Sequence, residues 1–129
     1  MSKPAIFQLE ATDWVDERKE KDRAPEEMIR KAEETGARRK HLAQGECGYH
    51  SQYTTMPAGF VVPAHSHSHD ELFIVLSGGC RLTTDGKETE LRARDSAALA
   101  GGHEYGFVVG DEGIEFMVVR PGAAKSNFA

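Results

Sequence analysis

The sequence is poor in cysteine and tryptophan, carries no excess of positive charge and contains no long apolar run. Each absence removes a class of protein. Cys47 and Cys80 are the only two cysteines, they lie far apart and they form no Cys-x-x-Cys pair. A disulfide-stapled secreted scaffold and a thiolate metal site are therefore both unexpected, and the two residues read as free thiols. With 16 Lys and Arg against 21 Asp and Glu, a net charge of -5 and a pI of about 5.7, the chain offers no basic field to hold nucleic acid or an anionic membrane. No stretch approaches the ~20 apolar residues of a membrane span. Residues 1–20 also lack the charged-then-apolar order of a secretion signal, so a cytoplasmic protein without nucleic-acid or membrane partners is expected. At 129 residues the chain suits one domain with a real core.

What is present is concentrated in residues 59–78. His65 and His67 alternate, Glu71 follows four residues after His67, and glycines at 59 and 78 bracket the set. Along a strand, side chains two apart share a face, so both imidazoles can point at one ion while Ser66 faces away. A bend over residues 68–70 would return the Glu71 carboxylate toward the same interior from the next strand. Two imidazoles and a carboxylate can hold one face of a divalent cation and leave the opposite face open. A solvated strand histidine is the ordinary case, but two buried histidines beside a buried carboxylate would otherwise lack compensation. His69, in the bend, reads as a solvated loop residue.

The rest of the chain changes character near residue 38. Residues 14–39 are dense in charge and poor in β-branched residues. Within them, Pro25 ahead of Glu26 and Glu27, with Gly36 after Thr35, predicts a short helix that packs through Met28, Ile29 and Ala32. Beyond it come short strand-like runs at 41–44, 49–56 and 71–76. Residues 81–84 and 87–91 flank an Asp85-Gly86 hairpin turn, and further runs follow at 96–99, 105–109 and 114–119, with residues 110–113 expected as the last hairpin loop. Such spacing signals an all-β sandwich or barrel, and no repeat or linker divides it.

Written out, residues 59–78 run G-x5-H-x-H-x3-E-x6-G. This resembles the first motif of the cupin superfamily at every fixed position. The resemblance covers residues 40–120 and implies a cupin-type antiparallel β-barrel, or jelly roll, with one divalent metal near its centre. The corresponding division is an N-terminal segment at 1–37, packed on the barrel or exchanged across it, a barrel at 38–122 and a tail at 123–129. The second motif of the family, G-x5-P-x-G-x2-H-x3-N, is only partly present. Aligning Asp95 with the aspartate that commonly follows the first glycine puts Arg94 at that glycine, Ala100 at the proline and Gly102 in place. The histidine position, usually a fourth metal ligand, falls on Tyr105, and the asparagine position falls on Val109.

Three arrangements then stand open: Tyr105 turned inward as a ligand or hydrogen-bond donor, His103 brought in by a register shift, or no fourth ligand. The alignment favours Tyr105. The resemblance also implies a small-molecule ligand or substrate and a homodimer, to which Phe7, Leu9 and Trp14 could contribute; alternatively these three cover the chain's own barrel. For activity, it implies a metal-dependent enzyme, with dioxygenase-type oxidation placed narrowly ahead of isomerase or lyase chemistry. A non-catalytic metal- or ligand-binding module is the competing class. His65, His67 and Glu71 would hold the ion, Tyr105 or His103 would orient substrate or move a proton, and Phe73, Val75 and Phe107 would wall the pocket. Fe, Mn, Ni, Co and Zn are all compatible with these donors.

Overall fold

The computed structural model describes residues 3–123 and 126–128. Among these residues, eight strands form one curled antiparallel sheet: β1 (Arg38–Gln44), β2 (His50–Met56), β3 (Val61–His67), β4 (Glu71–Thr84), β5 (Lys87–Arg92), β6 (Ser96–Leu99), β7 (Tyr105–Arg120) and β8 (Ser126–Phe128). One path runs β1-β2-β7-β3-β8, while β4 pairs with β5, β6 and β7. The architecture is the expected jelly roll with a short N-terminal helix, α1 (Glu26–Thr35). The helix starts after Pro25 and stops at Gly36, whose φ of 88° terminates it, and it buries Ile29.

Two elements are longer than the alternation of the sequence suggests. Residues 71–76 and 81–84 belong to the single strand β4, and residues 110–113 are not a hairpin loop but lie inside β7. Both glycine-rich stretches are irregularities in a continuous ladder, with register shifts on β4 between Val75 and Ser77 and between Gly78 and Cys80. A bulge keeps the partner strand paired on either side, which a glycine pair read alone does not distinguish from a turn. The Asp85-Gly86 turn forms as expected, with φ of 52° and 72°, and closes Thr84 onto Lys87.

The core sits between the two halves of the β4–β7 pair. Phe73, Phe107 and Phe116 pack together at ring separations of 4.5 to 5.7 Å, with Val62, Val75, Leu82, Val109, Ile114 and Val118 around them. Phe73, Val75 and Phe107 thus face inward, as the core beneath the polar residues described next. Outside the barrel, Trp14 lies against Tyr53 with Arg38 and Lys40 over its ring, and Lys40 Nζ donates to the Leu9 carbonyl. Trp14 thus packs on a residue of its own barrel while staying 37% exposed, Leu9 makes its contact through its carbonyl, and Phe7 is 40% exposed. Among the described residues no helix is long and apolar enough to cross a membrane.

Candidate functional site

His65 and His67 leave β3 with buried or nearly buried rings 4.8 Å apart. The chain then bends over Ser68 to Asp70, held by Gly102 N–H donating to the His67 carbonyl and Gly101 N–H to Asp70 Oδ1. β4 begins at Glu71, whose side chain is 1% exposed. β3 and β4 do not pair with each other; both pair with β7. β7 supplies the remaining members, Tyr105 from its first residue and Arg120 from its last.

Three polar side chains stand close together. His67 Nε2 is 3.1 Å from Tyr105 Oη and 3.2 Å from Glu71 Oε1, and Tyr105 Oη donates to Glu71 Oε2 at 3.2 Å. Arg120 approaches Glu71 Oε1 through Nε at 3.4 Å and Nη2 at 3.3 Å. The outward nitrogen of each imidazole is also engaged: His65 Nδ1 with the Pro63 carbonyl at 2.9 Å, His67 Nδ1 with Ser126 Oγ at 3.1 Å. His103 is exposed in the turn before β7, and His69 is exposed beside Ser68 and Gly122.

Burial sets the protonation of this cluster. His67 is pushed down to about 3 by burial and then by the Arg120 charge, and His65 is lowered for the same reasons. The close approach of His67 to Glu71 is therefore a hydrogen bond from a neutral ring, not an ion pair. Burial raises the Glu71 carboxyl, although Arg120 and the Tyr105 hydroxyl oppose the rise, and it raises the Tyr105 phenol, with Glu71 adding to the effect. The phenol stays protonated at neutral pH and can donate.

A pH dependence of stability follows. As pH falls, the unfolded chain takes up the His67 proton first, near its ordinary 6.5, whereas the folded protein takes it only near 3. The stability associated with neutral His67 is full above that window and is lost on descending through it. Glu71 acts with the opposite sign, since its folded form binds the proton earlier, so the comparison must be made between variants. Urea midpoints of chelator-treated protein are expected to fall between about pH 7 and about pH 5, less steeply in His67→Gln. Parallel declines in the two proteins would contradict the assignment.

The backbone at Arg94 bears on the alignment that puts Tyr105 at the histidine position. Arg94 has φ of 78°, the left-handed conformation that glycine adopts most readily, and its N–H donates to the Val75 carbonyl at 2.8 Å. A glycine-type turn carrying an arginine is what the alignment of residues 94–109 requires.

Sequence reading missed Arg120 and Ser126. Arg120 was accessible in principle, because it continues the inward alternation Ile114, Phe116, Val118. Ser126 lies on a strand of three residues, too short to carry a period. A shallow groove of about 670 Å³ on the β3–β7 side is lined by Val61, Thr84, His103 and Val108 among others and includes Tyr105, but neither imidazole nor Glu71.

The donor types fit a divalent cation: two ring nitrogens with outside partners on their other nitrogens, a carboxylate and a phenol. Among the described residues, no three His, Cys, Asp and Glu side chains are arranged as a ready ion site. The close triangle is His67, Glu71 and Tyr105, and Arg120 supplies the positive charge that Glu71 faces.

An antiparallel jelly roll with an inward-facing polar cluster defines a small β-barrel. The cupin domain family matches residues 52–120, more than half of the chain, and the protein belongs to that family. Curated protein sequences give no match. Among solved structures, KdgF from Halomonas sp. superposes with a TM-score of 0.69 at 18% identity, covering 94% of this chain and 96% of that one. The DMSP lyase DddQ from Ruegeria pomeroyi DSS-3 gives 0.72 at 17% identity over 93% of this chain and 62% of the other. Salicylate 1,2-dioxygenase from Pseudaminobacter salicylatoxidans gives 0.62 at 11% identity over 67% of this chain and 26% of the other. At such identities these likenesses establish the fold.

Proposed function

We propose that this cupin is a metal-dependent enzyme acting on a small oxygen-bearing molecule, with dioxygenase-type oxidation first among the reactions. The observation that carries the reading is the triangle of His67 Nε2, Glu71 and Tyr105 Oη, with separations of 3.1 to 3.2 Å, beside a second buried imidazole. Two histidines and one carboxylate with open positions are the donor set of non-haem iron oxygenases, which places oxidation ahead of lyase or isomerase chemistry. His65, His67 and Glu71 would hold the ion. A bound divalent ion supplies Lewis acidity and, when redox-active, electron transfer. Tyr105 donates its phenolic proton, now to Glu71, and is placed to orient a substrate oxygen instead. Arg120 balances the buried carboxylate, and the Phe73, Phe107 and Phe116 cluster keeps water from the floor.

One observation favours a second reading, a ligand-binding module without turnover: Arg120 already compensates Glu71, so the cluster is electrically satisfied as it stands. The two separate by redox dependence. An oxygenase consumes oxygen only with iron or another redox metal, whereas a module retains ligand with any ion.

Two variants test the role of the phenol. Tyr105→Phe is expected to leave metal content intact while lowering ligand affinity or turnover about tenfold, the value of one hydrogen bond made in a buried site. His103→Ala is expected to change neither. Metal titration that finds a loss in His103→Ala and none in Tyr105→Phe would instead make His103 the fourth ligand.

A further inference from the structure

The last described strand has no part in the reading above, yet each of its residues meets β3 at the site. In β8, Ser126 pairs with His67, Asn127 with Ser66 and Phe128 with His65. The Phe128 ring stacks on His65 at 4.9 Å and 24°, Ser126 Oγ lies 3.1 Å from His67 Nδ1, and Ser126 N–H donates to Asp22 Oδ2 at 2.9 Å. Asp22, in the N-terminal segment, thus pins the strand that backs both imidazoles.

The outer partners of the two histidines differ chemically. The Pro63 carbonyl on His65 Nδ1 is an acceptor only, so it fixes the proton on Nδ1 and leaves Nε2 as a lone pair. The Ser126 hydroxyl on His67 can either donate or accept. As the cluster stands, His67 Nε2 faces a carboxylate oxygen and a phenol oxygen, so the proton belongs on Nε2 and the serine donates to Nδ1. When Nε2 must give its lone pair to a cation, the proton moves to Nδ1 and the same hydroxyl turns to accept it.

We infer that β8 is part of the site and that Ser126 is a positioning residue which lets His67 exchange between these two tautomers, while His65, stacked under Phe128, stays in one. The exchange rests on the metal reading, because only a cation at Nε2 calls for the second tautomer; the Ser126 contact to His67 does not. His67 is then the imidazole that adapts, and β8 is the element that permits it.

The test uses the full chain and Zn²⁺ as the probe. Ser126→Ala is expected to lower Zn²⁺ affinity about 10- to 100-fold, the usual effect of removing a partner behind a ligating histidine, and Ser126→Thr to restore it. In ¹⁵N spectra of metal-free protein, the His67 Nδ1 resonance should move in Ser126→Ala and return in Ser126→Thr, with the His65 signals unchanged. Equal loss of affinity in the alanine and threonine variants would assign the effect to packing and overturn the inference, as would an unchanged affinity in Ser126→Ala. If the parent protein takes up no Zn²⁺, the metal reading fails and the tautomer exchange is overturned with it; a moved Nδ1 resonance in the metal-free spectra then supports Ser126 only as the partner that orients the His67 ring, and an unmoved one ends that role too.

Discussion

Glu71→Ala is expected to cost about 3 kcal/mol of folding stability, the lower end of what breaking a buried ion pair takes. The carboxylate is 1% exposed and the Arg120 side chain 14%, so the variant leaves a guanidinium in a nearly dry interior with no counter-charge, and that residual exposure keeps the loss at the lower end. It also removes the acceptor of the Tyr105 hydroxyl. A small domain with 5–15 kcal/mol of stability survives such a loss, so the variant should fold and show a lowered denaturant midpoint. The double variant Glu71→Leu/Arg120→Met replaces the pair by apolar groups and should recover most of the loss. A single variant as stable as the parent, or a double variant no better than the single, would refute compensation as the reason for Arg120. Metal content, measured by elemental analysis, should fall to background in Glu71→Ala and in His67→Ala alike, which ties the stability effect to the site.

That pair also marks where sequence reading stops. His65, His67 and Glu71 stand out because their spacing matches the period of a strand, and Tyr105 stands out because aligning Asp95 places it on a histidine position. The structure brings the Tyr105 hydroxyl between His67 and Glu71 and leaves His103 exposed. Arg120 is easily passed over for a different reason. An arginine at a strand end reads as solvated by default, and only the inward register of Phe116 and Val118 turns it toward Glu71. Ser126 and Asp22 are 104 positions apart and meet only because the N-terminal segment folds back onto β8. The α1 boundaries, by contrast, rest on local rules of proline and glycine, and no tertiary contact was needed to find them. Residues 110–113 failed as a loop because glycine signals a change of backbone conformation without saying whether the ladder continues through it.

Gly78→Ala is the substitution expected to do most damage, because of how the site comes to exist. β4 and β7 pair along nearly their whole length, from Leu72 opposite Val119 to Thr84 opposite Tyr105. Drawn out straight, Glu71 and the partner of Thr84 would lie about 40 Å apart at ~3.3 Å per residue. Yet Tyr105 Oη is 3.2 Å from Glu71 Oε2. The strand pair must therefore double over on itself, and it does so where the registers shift, at Gly78 on one strand and around Gly113 on the other. There the backbones approach so closely that a Cβ on Gly78 would collide with the Gly113 carbonyl oxygen and lie 2.7 Å from its carbon, with φ already at 68°. The left-handed backbone alone costs a non-glycine residue about 1–2 kcal/mol, and a backbone contact that cannot swing aside adds to it. Gly86→Ala separates the two contributions, since its φ is 72° but nothing lies within 4 Å of the added Cβ. Gly86→Ala should lose only the smaller amount. Gly78→Ala should lose more than twice as much in urea unfolding and should also disturb the His67 ring signals, because spreading β4 from β7 pulls Glu71 and Tyr105 apart. Equal losses in the two variants, with the His67 signals intact, would mean that the fold over Gly78 is not what closes the site.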